Sequence, residues 1–278
     1  MRFLIAIAFL LITIAACKEA EEKTIIKKQT GLSQKFKPFL HGVWVPADYV
    51  AELVNTKSPH KASDRLETIS EFVIDTSGNS KDSLEVGISL GNHEGSQFVL
   101  YFKAGQSSNT LVTNITDFDD KNGFYELGYV PNRADTFLML YHYDKNKMLL
   151  DQTKYIKVKE VQPGKSLEDG FQYMVNKKLI AGTYKATDTS GKEFIVSLAN
   201  DGSISGFPNA KTYYILTDFV AEDEEGTDEI CFDIQTSNQN CYGFQIKGDT
   251  INLFRPQENK GDTVIQKNPL IYTLVKQK

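Results

Sequence analysis

Phe39-Leu40-His41-Gly42-Val43-Trp44-Val45-Pro46-Ala47-Asp48 and Leu179-Ile180-Ala181-Gly182-Thr183-Tyr184-Lys185-Ala186-Thr187-Asp188 share one pattern. In both, two apolar residues and a spacer lead into Gly-x-aromatic, and an Asp follows four residues after the aromatic. The far ends match too: Tyr155-Ile156-Lys157-Val158-Lys159 against Tyr272-Thr273-Leu274-Val275-Lys276. Two matches in the same order define an internal repeat, Gly42 to Lys159 (118 residues) and Gly182 to Lys276 (95 residues).

Between these ends the chain reads as short strands with period-two alternation. In the first repeat the expected strands are 42–46, 70–75, 83–89, 97–103, 110–116, 124–130, 136–143, 147–150 and 154–159. In the second they are 194–198, 203–205, 212–219, 229–235, 241–247, 250–254 and 270–275, after the strand that holds Tyr184. Turn clusters such as Ser77-Gly78-Asn79-Ser80 and Asn200-Asp201-Gly202 separate them. Tyr49, Val50, Leu53 and Val54 form a helical face, with Asp48 as its cap and Thr56-Lys57-Ser58-Pro59 as its end. Gln162-Pro163-Gly164-Lys165 is a linker, and Ser166 caps a short helix over 167–178 that carries Phe171, Met174 and Val175. About eight strands per repeat imply an all-β protein of two antiparallel up-and-down barrels.

Composition narrows the function classes. The chain has 278 residues, 41% of them hydrophobic, enough for two sizeable cores. Thirteen Tyr, seventeen Phe and nineteen Gly favour β structure. A formal charge of −5 argues against nucleic acid as a partner.

The N-terminus reads as an address. Arg2 precedes an apolar run from Phe3 to Ile14, too short for a membrane-spanning helix but suited to a signal peptide. The run ends Ile14-Ala15-Ala16-Cys17, which resembles the lipobox of bacterial lipoproteins. That resemblance implies cleavage before Cys17, lipidation of its thiol, and attachment to the membrane through the N-terminal acyl chains. Lys18-Glu19-Ala20-Glu21-Glu22-Lys23 resembles the export signal of Bacteroidota lipoproteins displayed at the cell surface. The implied location is the cell envelope, as an outer-membrane lipoprotein, with the periplasmic and surface leaflets both open. Asp82-Ser83-Leu84, Asp249-Thr250-Ile251 and Asp262-Thr263-Val264 resemble the O-glycosylation tripeptide of the same bacteria.

Gly-x-Trp on a first strand, a helix beside it, about eight up-and-down strands and a cation on the last strand resemble the lipocalin (calycin) family. The resemblance implies that Lys159 lies across Trp44, and Lys276 across Tyr184, closing each barrel's narrow end. Lipocalins use Arg at that place. The family also implies a cavity for a small hydrophobic ligand, which an eight-stranded barrel can either hold or fill with its own side chains. Phe137, Met139, Tyr141 and Tyr143 share one strand face, and Tyr213, Ile215 and Thr217 another; they line a pocket or belong to ordinary core.

Residues for chemistry are few. His41, His60, His93 and His142 have no metal-ligand spacing, and no Gly-x-Ser-x-Gly elbow occurs. No catalytic residue, metal or cofactor is assigned. The six carboxylates of 221–229 read as a solvated acidic loop. Cys231 and Cys241 flank a polar turn, and in an exported hairpin of this kind a disulfide is expected, the alternative being two buried thiols. The domains expected are a signal peptide (1–16), a lipidated flexible tether (17–35), a first barrel (36–161), a linker with helix (162–178) and a second barrel (179–278). The expected role is a non-enzymatic, lipid-anchored binder of a small hydrophobic molecule or surface partner. The alternatives are an interaction module with filled barrels and a hydrolase with an unrecognised site. Oligomeric state is undetermined.

Overall fold

Strands dominate because β-branched and aromatic residues alternate with polar ones through both repeats. A computed structural model describes residues 31–66, 69–78, 80–91, 94–116, 121–131, 136–158, 170–218, 227–255 and 269–278. Cys17, most of the tether, Lys159 and the 221–226 part of the acidic loop lie outside these residues.

Residues 31–40 form helix α1. There follow β1 (Gly42–Pro46), α2 (Ala47–Thr56), α3 (Pro59–Ala62), β2 (Ile69–Ile74), β3 (Ser83–Leu90), β4 (Glu94–Ala104), β5 (Thr110–Thr116), β6 (Phe124–Pro131), β7 (Thr136–Tyr143) and β8 (Leu149–Lys157). Strands β1 to β8 pair in order and close into a barrel, with β1 antiparallel to β8. After α4 (Gly170–Leu179) come β9 (Gly182–Asp188), β10 (Glu193–Leu198), β11 (Ile204–Ser205), β12 (Tyr213–Ile215), β13 (Glu229–Phe232), β14 (Asn240–Lys247), β15 (Thr250–Phe254) and β16 (Leu270–Lys276). These make a second antiparallel sheet in the order β11-β10-β9-β16-β15-β14-β13-β12. A bridge between Ser203 and Thr212, with Tyr213 N–H donating to the Gly202 carbonyl (2.7 Å), all but joins its two edges.

The strands expected at 42–46, 110–116, 136–143 and 250–254 have those bounds, whereas other segments differ. The two segments expected at 147–150 and 154–159 are one strand, β8; its polar middle, Asp151-Gln152, is exposed and so interrupts nothing. The strand expected over 212–219 shrinks to Tyr213–Ile215. Residues 31–35, expected as tether, are already helical, because Phe36 and Leu40, one turn apart, are both 1% exposed. Asp48 lies in the first turn of α2, and Pro46 occupies the cap position. Lys57 ends that helix at φ 58°, and Val54 falls outside the buried face of Tyr49, Val50 and Leu53. The sequence reading missed α3; Ser58 Oγ accepts from Lys61 N–H (3.1 Å) at its start.

Packing groups the chain into two compact units. Of the described residues, one unit holds 31–41 and those within Ile74–Val86 and Phe98–Thr153; the other holds those within Gly42–Val73, Gly87–Gln97 and Lys154–Lys278. In the first, Phe98, Leu100, Phe102, Leu111, Leu127, Leu138 and Leu140 are buried at alternate strand positions. Helix α1 sets Phe36 edge-on (5.1 Å) and Phe39 stacked (5.0 Å) against Tyr129. Glu126 organises the β4–β5 connection, accepting from Gln106 N–H (2.8 Å) and Thr110 Oγ1 (2.7 Å).

The second unit has one continuous core. Val43 and Val45 of β1 and Tyr49, Val50 and Leu53 of α2 join Phe171, Met174 and Val175 of α4 and the inner side chains of β9 to β16. The close approach of β1 to α4 needs Gly170, where an added Cβ would meet Val43 at 2.6 Å. The Glu71 carboxylate accepts from Phe171 N–H (3.0 Å), and a carboxylate in the first turn of a helix suits its dipole.

Cys231 and Cys241 are bonded, and they face each other across β13 and β14. Reducing this bridge is expected to remove about 2–3 kcal/mol. Paired urea titrations of oxidised and reduced protein measure it. Coincident midpoints would mean that strand pairing alone holds the hairpin.

Candidate functional site

Each repeat opens on the same local device. Gly42 (φ 122°) and Gly182 (φ 152°) follow a helix, and a Cβ on either would meet a lysine Cε at 2.7 Å. Only glycine leaves the lysine room to cross the next aromatic ring. Lys276 Nζ lies 5.8 Å from the Tyr184 ring centre and also donates to the Ala181 carbonyl (3.1 Å). Over Trp44 the cation is Lys157, at 5.5 Å. The expected partner, Lys159, lies outside the described residues, and the register fixes the choice: Trp44 pairs with Lys157 as Tyr184 pairs with Lys276. The sequence alignment of the two repeat ends is therefore two residues out.

Burial lowers the proton affinity of Lys157. It pushes the Tyr184 hydroxyl up to about 12, with Asp249 adding to the effect. That hydroxyl donates to the Ile180 carbonyl (2.6 Å). These are packing devices: both rings are buried, while Lys157 is half-buried and Lys276 exposed.

The remaining expected residues divide by environment. Tyr213 and Ile215 are buried in the second core, and burial raises the Tyr213 hydroxyl. On β7 the buried side carries Leu138, Leu140 and His142, while Phe137, Met139, Tyr141 and Tyr143 share the half-exposed side. Tyr143 there stacks on Phe124 (5.3 Å) and lies 6.3 Å from Tyr141. His142 stacks on Tyr125 (4.3 Å, 8°), and its Nδ1 lies 2.9 Å from Asp151 Oδ2. The carboxylate orients the imidazole. Among the described residues no set of His, Cys, Asp and Glu is grouped to hold a metal.

Asp228, expected in a solvated run, is half-buried. It accepts from His60 N–H (2.9 Å) and from Ser58, and desolvation raises its pKa. It ties the start of β13 to α3.

The residues that sequence reasoning missed form an aromatic cluster inside the second sheet. Phe194 of β10, Phe207, Phe232 of β13, Tyr242 of β14 and Tyr272 of β16 meet ring to ring. Phe207 lies 4.5 Å from Phe232 and 4.9 Å from Tyr272, and Tyr242 lies 5.9 Å from Tyr272. Phe207 and Phe232 are buried, whereas Phe194, Tyr242 and Tyr272 are half-buried. Tyr272 pairs with Asp188, at the end of β9 away from Gly182, so the cluster lies opposite the lysine–tyrosine closure. Burial, and then the neighbouring Tyr272, raise the Tyr242 hydroxyl, and Arg255 nearby lowers it. The site thus presents ring faces, two hydroxyls and one cation. Strand alternation marks Phe194 and Tyr272 as candidates singly; Phe207 sits in a turn and gives no periodic signal.

No known protein family matches the chain, and no curated protein does. Among solved structures, a protein of unknown function of the DUF3598 family from Nostoc punctiforme is similar at 9% identity. The match covers 80% of this chain and 73% of that one, with a TM-score of 0.21.

Proposed function

We propose that this is a lipid-anchored lipoprotein of the cell envelope, lipocalin-like in plan, that binds a small hydrophobic molecule without transforming it. The observation that carries the binding reading is the half-buried aromatic group Phe194, Tyr242 and Tyr272. Below it the inner positions Tyr184, Tyr213, Ile215, Leu253 and Leu274 are fully packed. Ligand sites are concave, aromatic and fitted with a few polar groups. Here the rings take an apolar or aromatic body, and the tyrosine hydroxyls with Arg255 take one polar or anionic substituent. Export is supported by the Cys17 motif and by the Cys231–Cys241 bridge, which suits an oxidising compartment.

Mass measurement on the protein purified from its producing cell tests both parts. The denatured chain is expected to begin at Cys17 and to carry acyl mass. The native chain is expected to carry a further small adduct that Tyr272→Ala weakens by about tenfold, the loss of one aromatic contact. A bare native mass, or an adduct indifferent to Tyr272→Ala and Phe194→Ala, would remove the aromatic site as the binding place.

A further inference from the structure

Strand β14 is held unevenly along its length. Gly243 is its first residue to pair with β15, opposite Phe254. Asn240, Cys241 and Tyr242 come before it, so among the described residues β13 is the only strand beside them. Strand β13 is fixed from its other side. It pairs with β12, and Asp233, just past its end, accepts from Lys211 N–H and Thr212 N–H (both 2.9 Å). The Asp233 N–H in turn donates to the Thr212 carbonyl (3.1 Å). The Cys231–Cys241 bridge thus ties the free start of β14 to an anchored strand. That start carries Tyr242, whose ring lies 5.6 Å from Phe232 in the aromatic cluster.

The two cysteines differ in access. Cys231 is 6% exposed, whereas Cys241 is half-buried and its Sγ accepts from the exposed Gln239 side-chain amide (3.6 Å). An incoming thiolate meets the sulfur it can reach, and the other sulfur leaves. We propose that Cys241 is a thiol-exchange site for a dithiol reductant, and that opening the bridge there releases Tyr242 from the aromatic cluster. One thiolate of the dithiol attacks Cys241 Sγ. The Cys231–Cys241 bond breaks, and its electron pair leaves on Cys231 Sγ, which takes up a proton. The second thiolate of the dithiol then attacks its own sulfur in the mixed disulfide, and Cys241 Sγ leaves and is protonated. The bridge gains two electrons and two protons, and the dithiol becomes a disulfide. The exchange depends on the hairpin alone, whereas its consequence for a ligand rests on the binding reading above.

The test uses the full chain carrying Cys17→Ser, so that no third cysteine competes. Glutathione treatment of the folded protein, trapped with acid and N-ethylmaleimide, is expected to leave glutathione on Cys241 and maleimide on Cys231. Dithiothreitol then opens the bridge fully. Hydrogen exchange of the Asn240–Tyr242 amides is expected to quicken by about a hundredfold, the worth of closing a loop of that span. The amides of β12 and β13 are expected to stay protected. Glutathione found on Cys231, or on neither cysteine unless urea is added, would overturn the exchange site. Unchanged exchange at Asn240–Tyr242, or protection lost throughout the chain, would overturn the local release. A native adduct that survives while these amides open would instead remove the aromatic cluster as the binding place, and with it the effect on a ligand.

Discussion

Trp44→Ala is expected to destabilise the protein by about 3–5 kcal/mol, the usual range for deleting a large buried aromatic. Trp44 is 1% exposed and is among the largest of the fully buried side chains. Its loss leaves a cavity at the seam where β1 pairs with β8 and takes the ring from beneath Lys157. Lys157 would then keep its burial penalty without the attraction that offsets it. Trp44 is the only tryptophan, so the unfolding of this variant must be followed by far-ultraviolet circular dichroism. Trp44→Phe, which keeps a ring under the lysine, is expected to recover more than half of the loss. A cost below about 1 kcal/mol for the alanine variant would show that the seam does not depend on the ring.

Gly206→Ala is the second large effect, at about 3–4 kcal/mol. Gly206 follows β11 at φ 79°, which costs a side-chain-bearing residue about 1–2 kcal/mol. A Cβ there would collide with the Ile195 carbonyl oxygen. That oxygen belongs to β10 backbone, so relief requires separating the chain after β11 from its neighbour. The segment leads to Phe207, whose ring contacts Phe194, Phe232 and Tyr272. The same substitution is therefore expected to weaken the binding proposed for the aromatic cluster. Chemical denaturation of the variant measures the first effect; a loss under about 1 kcal/mol would mean that the β11 edge moves freely.

The strands were legible because alternation is a local signal, written residue by residue in segments such as Thr136–Tyr143. Helix α1 was less legible: Phe36 and Leu40 have helical spacing, but lysines surround them and obscure the face. The choice between Lys157 and Lys159 could not be made locally, because the two are separated by one strand period in the sequence and only the ladder register selects Lys157. The disulfide was legible from two cysteines flanking a turn. The aromatic cluster was not, since Phe194 and Tyr272 are 78 positions apart and become neighbours only through the order β10-β9-β16. Asp228 belongs to a run whose composition says solvent, whereas its actual neighbours are His60 N–H and Ser58 of α3.

The central claim is that each repeat seats the lysine of its last strand on the aromatic of its first. Two-dimensional nuclear Overhauser spectra test it most directly. Lys157 side-chain protons should show contacts to the Trp44 indole and Lys276 protons to the Tyr184 ring, both shifted upfield by ring currents. Unshifted lysine resonances without those contacts, in either repeat, would contradict it.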